Sequence, residues 1–115
     1  MKKINESYIE IKKSKFIGLL YEIDSNEDVD LILKELSSAH KKAKHIVYAY
    51  KLDGYEKNYS DKEPSGTTRG LLELIHHKNM NNTLIIVIRY FGGILLGSGP
   101  LTRAYTKCAS MLFIE

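Results

Sequence analysis

Four glycines and two arginines near the end of the chain could together bind a phosphate group. The glycine loop, residues 92–99, could expose backbone N–H groups and direct the N-terminus of a following helix at an anion. An arginine can bind a phosphate through two parallel hydrogen bonds. The spacing matches neither the P-loop nor the dinucleotide fingerprint, and the glycines could instead simply let a helix pack closely on a sheet. The candidate phosphate- or nucleic-acid-binding residues are Arg89, Gly92, Gly93, Gly97, Gly99 and Arg103.

An earlier polar segment places carboxylates and a hydroxyl close together. Asp61 and Glu63 are two residues apart, which could suit a metal ion or acid–base chemistry, but no third ligand follows at metal-like spacing. A second interpretation is that Arg89 or Arg103 pairs with one of these acids and holds the segment in place. We therefore predict no metal, no cofactor and no catalytic residue. The predicted supporting loop comprises Asp61, Glu63, Ser65, Gly66, Thr67 and Arg69.

Charge is only mildly basic overall but is unevenly distributed. The net charge is +3 and the pI is near 8.9. Basic residues cluster over residues 12–15 and again over residues 40–45, so one face or edge could meet phosphates or an acidic protein. Solubility is the alternative role for these lysines. The possible additional surface comprises Lys12, Lys13, Lys15, His45 and Tyr90.

Eight tyrosines without a tryptophan allow a second kind of nucleic-acid contact. Aromatic side chains near basic residues can stack on the bases of single-stranded RNA. On a strand, however, residues two apart share one face and could simply belong to the core. The tyrosines near basic residues are Tyr48, Tyr50, Tyr55, Tyr59 and Tyr90.

The length and composition predict one globular domain in a reducing compartment. The chain has 115 residues, of which 43% are apolar and 27% charged, as in ordinary soluble domains. The lone Cys108 cannot form an internal disulfide. The N-terminus lacks the apolar run of a signal peptide, and no segment approaches the roughly 20 apolar residues that span a bilayer. We expect a cytoplasmic protein without membrane contact.

Hydrophobic periodicity predicts an α+β domain with the order ββαβαβα. Val29, Ile32, Leu33 and Leu36 form one apolar helical stripe behind the N-cap Ser25,. The unbroken aliphatic core of residues 83–90 indicates a strand buried on both faces,. One sheet covered by helices is the economical arrangement. The predicted strands are 7–11, 16–23, 45–52 and 83–90; the predicted helices are 26–42, 67–78 and one starting near Pro100; and residues 53–66 are predicted as a loop with irregular extended pieces.

Three stretches of the sequence resemble the Impact N-terminal (YigZ-like) family. The first runs from Glu10 to Gly18 (EIKKSKFIG), and the second covers residues 61–67 (DKEPSGT). The third begins with residues 89–93 (RYFGG) and continues to Arg-Ala-Tyr at residues 103–105. The likeness extends from about Tyr8 to the end of the chain.

The resemblance implies both a fold and an association with translational control. The implied fold is similar to domain two of a small-ribosomal-subunit protein and to the fourth domain of translocation elongation factors. The eukaryotic members resemble inhibitors of the amino-acid-starvation kinase pathway that act through a protein activator of the kinase. For bacterial members the resemblance implies nucleic-acid or ribosome binding. Bacterial members also carry a C-terminal ferredoxin-like domain, which we expect to be absent, leaving residues 1–115 as a single domain.

Several positions depart from the family's pattern. The usual Asp-Asp-Gly-Glu-Pro is replaced by Ser-Asp-Lys-Glu-Pro at residues 60–64, and the usual Gly-Thr-Ala-Gly by Gly-Thr-Thr-Arg at residues 66–69. Ile46 stands in place of an asparagine, and Pro100 in place of a glycine. These changes lie beside the candidate site, so its ligand does not follow from the family alone.

The predicted function is a non-catalytic binding module associated with translational regulation. Its partner would be RNA or the ribosome, contacted through the glycine loop and the Arg/Lys surface. The alternative is a protein-interaction module of a translational or starvation-response regulator. An enzyme acting on a phosphorylated or nucleotide ligand is the weaker alternative, and the oligomeric state is left open.

Overall fold

The computed structural model describes residues 1–114. Its strands are β1 (Lys2–Ile11), β2 (Ser14–Glu22), β3 (His45–Leu52), β4 (Tyr55–Tyr59) and β5 (Thr83–Tyr90). Its helices are α1 (Asn26–Ala39), α2 (Gly66–His77) and α3 (Ser98–Ser110), followed by a short 3-10 turn, Met111–Phe113. The prediction of an α+β domain built on a single sheet is confirmed.

The five strands form one antiparallel sheet in the spatial order β1-β2-β5-β3-β4. β5 occupies the centre, so its backbone is hydrogen-bonded on both sides and its side chains point into two layers,. Its residues from Thr83 to Arg89 are all buried. The unbroken aliphatic run predicts this position because only a strand covered on both faces tolerates it in water.

The two faces of the sheet have separate cores. Alternate β5 residues such as Ile86 pack with Val29 and Ile32 of α1. The intervening residues, such as Val87, pack with Leu71 of α2 and with α3 on the opposite face. A fully buried aliphatic side chain contributes about 1.5–3 kcal/mol, so the central strand supplies much of the fold's stability.

Helix α1 begins as its sequence predicts. The Asp28 amide donates to the Ser25 side chain at 3.3 Å, and the Asp28 carboxylate accepts from the Asp24 amide at 2.8 Å. The latter hydrogen bond lowers the pKa of Asp28. The Ser25 bond satisfies one of the N–H groups that a helix leaves open at its start, and the Asp28 bond holds the residue that precedes the cap,.

The observed order is ββαββαβα, which contains one more strand than predicted. β4 pairs with β3 through the tight turn at Asp53 and Gly54, whose φ angles are +49° and +80°. Positive φ at both turn positions is typical of two-residue hairpins. β4 was missed because all its residues are exposed and none is aliphatic, so no hydrophobic alternation reveals it.

Within residues 1–114 no helix has the length and apolar character needed to cross a membrane.

Candidate nucleic-acid interface

Strand register brings the predicted basic residues to one end of the sheet. Lys15 pairs with Tyr90 across β2 and β5, and the amide of Lys44, just before β3, donates to the Arg89 carbonyl at 2.7 Å. Lys12 and Lys13 form the turn between β1 and β2. We call the exposed set Lys12, Lys13, Lys15 and Lys44 the basic end.

Gly92 lets the glycine loop pack against the lysine turn. A Cβ atom at Gly92 would lie 2.0 Å from the Lys13 carbonyl oxygen, a distance that no side chain can occupy. The Gly92 amide also donates to the Ser14 hydroxyl at 3.4 Å. The glycine loop and the lysine turn therefore form one continuous surface.

The other three glycines of the predicted site are exposed. Gly93 has a φ of +92° with nothing near its Cβ position, whereas Gly97 forms the N-cap of α3 in extended backbone. Gly99 lies in the first turn of α3, and its Cβ would lie 3.4 Å from Nη1 of Arg103. The glycine loop thus leads directly into the helix N-terminus beside Arg103.

Arg89 takes the structural role that the sequence left open. Its Nη1 donates to Glu63 Oε2 at 2.9 Å, and the two side chains are only 7% and 6% exposed. The hydroxyl of Tyr105 in α3 donates to the same carboxylate oxygen. Arg89 also lies between aromatic rings, with its Cζ 5.9 Å from the Phe16 centroid and 5.7 Å from that of Phe91. Because Glu63 already neutralises the charge of Arg89, the ion pair disfavours direct phosphate binding by Arg89. Phosphate binding by Arg89 stays an untested prediction.

Burial and the Glu63 carboxylate both raise the pKa of Tyr105, since each opposes formation of a phenolate,. The phenol therefore stays protonated above the usual titration range of tyrosine and donates to Glu63. Residues from β5, α3 and the segment before α2 are thereby joined at one buried carboxylate.

His45 connects this buried pair to the second acid of the supporting loop. Its Nε2 lies 3.4 Å from Glu63 Oε1, and its Nδ1 lies 3.4 Å from Asp61 Oδ2. Asp61 also accepts from the Ile46 amide at 2.9 Å and from the Tyr59 hydroxyl at 3.1 Å. Although one histidine and two carboxylates meet here, no group of His, Cys, Asp or Glu in residues 1–114 has the arrangement of a metal site.

The remaining residues of the supporting loop separate into two groups. Thr67 is fully buried, and Gly66 packs 3.4 Å from the Thr102 methyl, measured from its Cβ position. Ser65 is the N-cap residue of α2, and both it and Arg69 are exposed. Arg103 is also exposed and forms no ion pair with any described residue. Arg103 is therefore the arginine of the predicted pair that is free to meet a ligand.

One contributor absent from the predicted site is the basic segment that follows α1. His40 Nδ1 lies 2.6 Å from the Tyr90 hydroxyl, which fixes the helix end beside β5. Lys41 and Lys44 project from the segment that follows, beside a cleft of about 490 Å³. The cluster of basic residues at 40–45 carries this signal in the sequence, but only the fold places it at the basic end.

Residues 12–113 match the family model of the Impact N-terminal domain. A relative from Bacillus subtilis (strain 168), called IMPACT family member YvyE, is 36% identical over 96% of this chain and 52% of its own length. IMPACT family member YigZ from Escherichia coli (strain K12) is 34% identical over 84% of this chain and 50% of its own. The chain thus spans about half the length of these curated relatives.

Two solved structures share the fold. A crystal structure of a hypothetical protein matches with a TM-score of 0.88 and 27% identity, covering 97% of this chain and 60% of the other. A two-domain translational regulator, Yih1, matches with a TM-score of 0.55 and 21% identity, covering 96% of this chain and 45% of the other. The second likeness concerns the fold alone.

Proposed function

The chain belongs to the Impact N-terminal domain family, and from that premise we propose that it is a non-catalytic, cytoplasmic binding module that contacts RNA or the ribosome during translational control. Regulation of translation is the role named for the two-domain protein Yih1. The contact surface would be the basic end, the glycine loop and Arg103.

The observation that carries the proposal is the packing of Gly92 on the backbone of Lys13. This contact fixes the lysine turn beside the glycine loop, so exposed cations and exposed loop backbone share one surface. The lysines have no ion-pair partner among residues 1–114, so their charges remain available to phosphates. An array of cations held by a rigid sheet supports sequence-independent contact with a nucleic-acid backbone.

The proposal can be tested by fluorescence anisotropy with short single-stranded and structured RNAs at low and moderate salt. Near 0.1 M salt the variant Lys12→Gln/Lys13→Gln/Lys15→Gln should bind RNA about tenfold or more weakly than the wild type. Each phosphate contact to a single strand contributes about 0.7 to the slope of log affinity against log salt concentration. Arg103→Ala should also weaken binding. Absence of RNA binding by the wild-type protein at low salt would contradict the proposal.

A matched control removes three lysines from elsewhere. Lys2 and Lys3 start β1 and pair with the end of β2 that is far from the basic end, and Lys107 lies in the last turn of α3. Lys2→Gln/Lys3→Gln/Lys107→Gln removes the same net charge, so it should bind RNA much more tightly than the basic-end variant. Equal losses in both variants would show that net charge, rather than this surface, determines binding.

A protein partner is a second candidate, favoured by apolar side chains beside the same surface. Phe91, Ile94 and Leu95 are 44%, 41% and 84% exposed, and exposed apolar groups of this size are typical of protein contacts. The variant Ile94→Ser/Leu95→Ser distinguishes the candidates. Because it keeps every cation of the surface, it should weaken RNA binding much less than the basic-end variant does, but it should abolish a nuclease-resistant protein complex if a protein is the true partner.

A further inference from the structure

We propose that tyrosines on β3 and β4 form a platform that stacks on the bases of single-stranded RNA, an inference that rests on the proposed RNA-binding function. The tyrosine platform comprises Tyr48, Tyr50, Tyr55 and Tyr59, all on the sheet face that α1 covers only in part. It adds a base-contacting surface to the phosphate-contacting basic end.

The rings of the platform form a connected series across two strands. The centroids of Tyr59 and Tyr48 are 5.7 Å apart, those of Tyr48 and Tyr50 6.3 Å, and those of Tyr50 and Tyr55 6.4 Å. Tyr50 is buried and donates to Asn26 Oδ1 at 3.2 Å. The outer rings of Tyr55 and Tyr59 are 59% and 49% exposed. Two inner tyrosines thus hold two outer ones in positions where a ligand can reach them.

The orientation of Tyr59 is fixed before any ligand binds. Its hydroxyl donates to Asp61 Oδ1 at 3.1 Å, and this hydrogen bond raises the pKa of Tyr59. Asp61 is itself held by the Ile46 amide. A preorganised ring loses little conformational freedom on binding, which is the property that a stacking residue needs.

Charge beside the platform favours a nucleic acid over an apolar ligand. The cleft of about 490 Å³ is lined by Tyr48 and Tyr59, by the cations Lys41 and Lys44, and by one carboxylate, Asp61, which already accepts from the Tyr59 hydroxyl. Its volume is within the range of about 300–1,000 Å³ for small-molecule sites, so one nucleotide could enter with its phosphate toward the lysines. Lys57 lies on the same face of β4, beside Tyr50 and Tyr55, in a second cleft that Asp30 of α1 also lines.

Ring spacing favours a single strand over a duplex. Neighbouring rings lie 5.7–6.4 Å apart, whereas successive nucleotides of a duplex strand rise only about 3.4 Å. Bases that contact successive rings must therefore be unstacked and splayed, as in single-stranded recognition by aromatic side chains. A duplex hides its base faces and could not use the platform.

The test compares leucine and phenylalanine variants in anisotropy titrations with a labelled oligouridine of about ten nucleotides and with a duplex. Tyr59→Leu and Tyr55→Leu should each weaken oligouridine binding about fivefold or more, because each stacked base contributes about that factor. Tyr59→Phe should bind within about twofold of wild type, since it keeps the ring. Duplex affinity should not change. The protein has no tryptophan, so oligouridine should also quench its tyrosine emission, and less so in the leucine variants.

Tyr8 supplies a matched control on the opposite edge strand. It is 51% exposed and its hydroxyl donates to Glu10 Oε1 at 3.3 Å, which closely matches the exposure and hydrogen bonding of Tyr59. Tyr8→Leu should bind oligouridine like wild type. Thermal melting checks the fold of every variant; if Tyr59→Leu is unfolded, Tyr55→Leu decides the question, because the Tyr55 ring is the more exposed.

The outcomes separate this inference from the proposed function. If the tyrosine variants bind oligouridine like wild type while the basic-end lysine variant does not, the platform is refuted and the RNA-binding module stands. If wild-type protein binds no RNA, both are refuted. If the leucine variants lose only a nuclease-resistant protein partner, the platform serves a protein and the inference is wrong.

Discussion

Replacing Arg89 should destabilise the fold strongly, because it would leave the Glu63 carboxylate charged and buried. The Arg89→Met variant keeps much of the apolar volume but removes the cation. Removing one member of a buried ion pair costs about 3–5 kcal/mol. Arg89 and Glu63 form such a buried pair, because their side chains are only 7% and 6% exposed. The Tyr105 hydroxyl still donates to Glu63, which lessens the loss but does not replace the bonded cation.

This loss is large relative to the whole stability of the domain. For 115 residues, an unfolding entropy of about 2.1 cal/mol/K per residue converts about 3–5 kcal/mol into a fall in Tm of about 12–20 °C. Urea unfolding followed by circular dichroism measures the free energy directly, and calorimetry gives Tm. The m value should stay constant if only stability changes.

Two further variants test the buried ion pair. Arg103→Met alters an exposed arginine without an ion pair among the described residues, so it should change the free energy of unfolding by less than about 0.5 kcal/mol. The double variant Arg89→Met/Glu63→Gln should lose less than the sum of its single variants, because neither charge is then left unpaired. Equal stabilities for Arg89→Met and Arg103→Met would refute the buried ion pair.

Three further perturbations follow from the same contacts. In the unfolded chain Tyr105 ionises above about pH 10, whereas in the folded chain burial and the Glu63 carboxylate raise the pKa of Tyr105 and keep it protonated,. The stability that this pKa difference supplies is therefore complete below about pH 10 and is lost as the pH rises further. Relative to Tyr105→Phe, the wild type should therefore lose about 1.4 kcal/mol of unfolding free energy per pH unit above pH 10 in urea titrations. Gly92→Ala should lower the free energy of unfolding by about 1–3 kcal/mol or more, because its Cβ would clash with the Lys13 backbone,. Gly97→Ala should lower it far less in the same assay, because the nearest atom to its Cβ position is 3.6 Å away. Equal losses would contradict the close packing of Gly92. Arg103→Ala should weaken RNA binding in anisotropy while leaving Tm nearly unchanged, and a Tm fall of many degrees would instead assign Arg103 a structural role.

The sequence predicts the elements whose hydrophobic pattern is unambiguous. β5 was predicted at Thr83–Tyr90 and occupies those residues, since an aliphatic run without polar interruption has few other stable positions. β3 was likewise predicted with its observed bounds, His45–Leu52. β4 was not predicted because it is an exposed edge strand, although the dipeptide Asp53-Gly54 is a strong hairpin signal.

The candidate site depends on contacts that local sequence does not determine. Arg89 and Glu63 are 26 residues apart, and only the register that places His45 opposite Arg89 brings them together. Sequence reasoning named both residues but could not choose between phosphate binding and an ion pair. It also named the tyrosines, whose common face becomes visible only once β4 is paired with β3.

The salt dependence of RNA binding reports how many phosphates the basic end contacts. Kd for a short single-stranded RNA should rise steeply with salt in the wild-type protein. In a plot of log Kd against log salt concentration, Lys12→Gln/Lys13→Gln/Lys15→Gln should have a slope lower by about 2, which corresponds to three lost phosphate contacts at about 0.7 each. Identical slopes for this variant and the wild type, or no binding at low salt, would contradict the claim that the basic end contacts RNA.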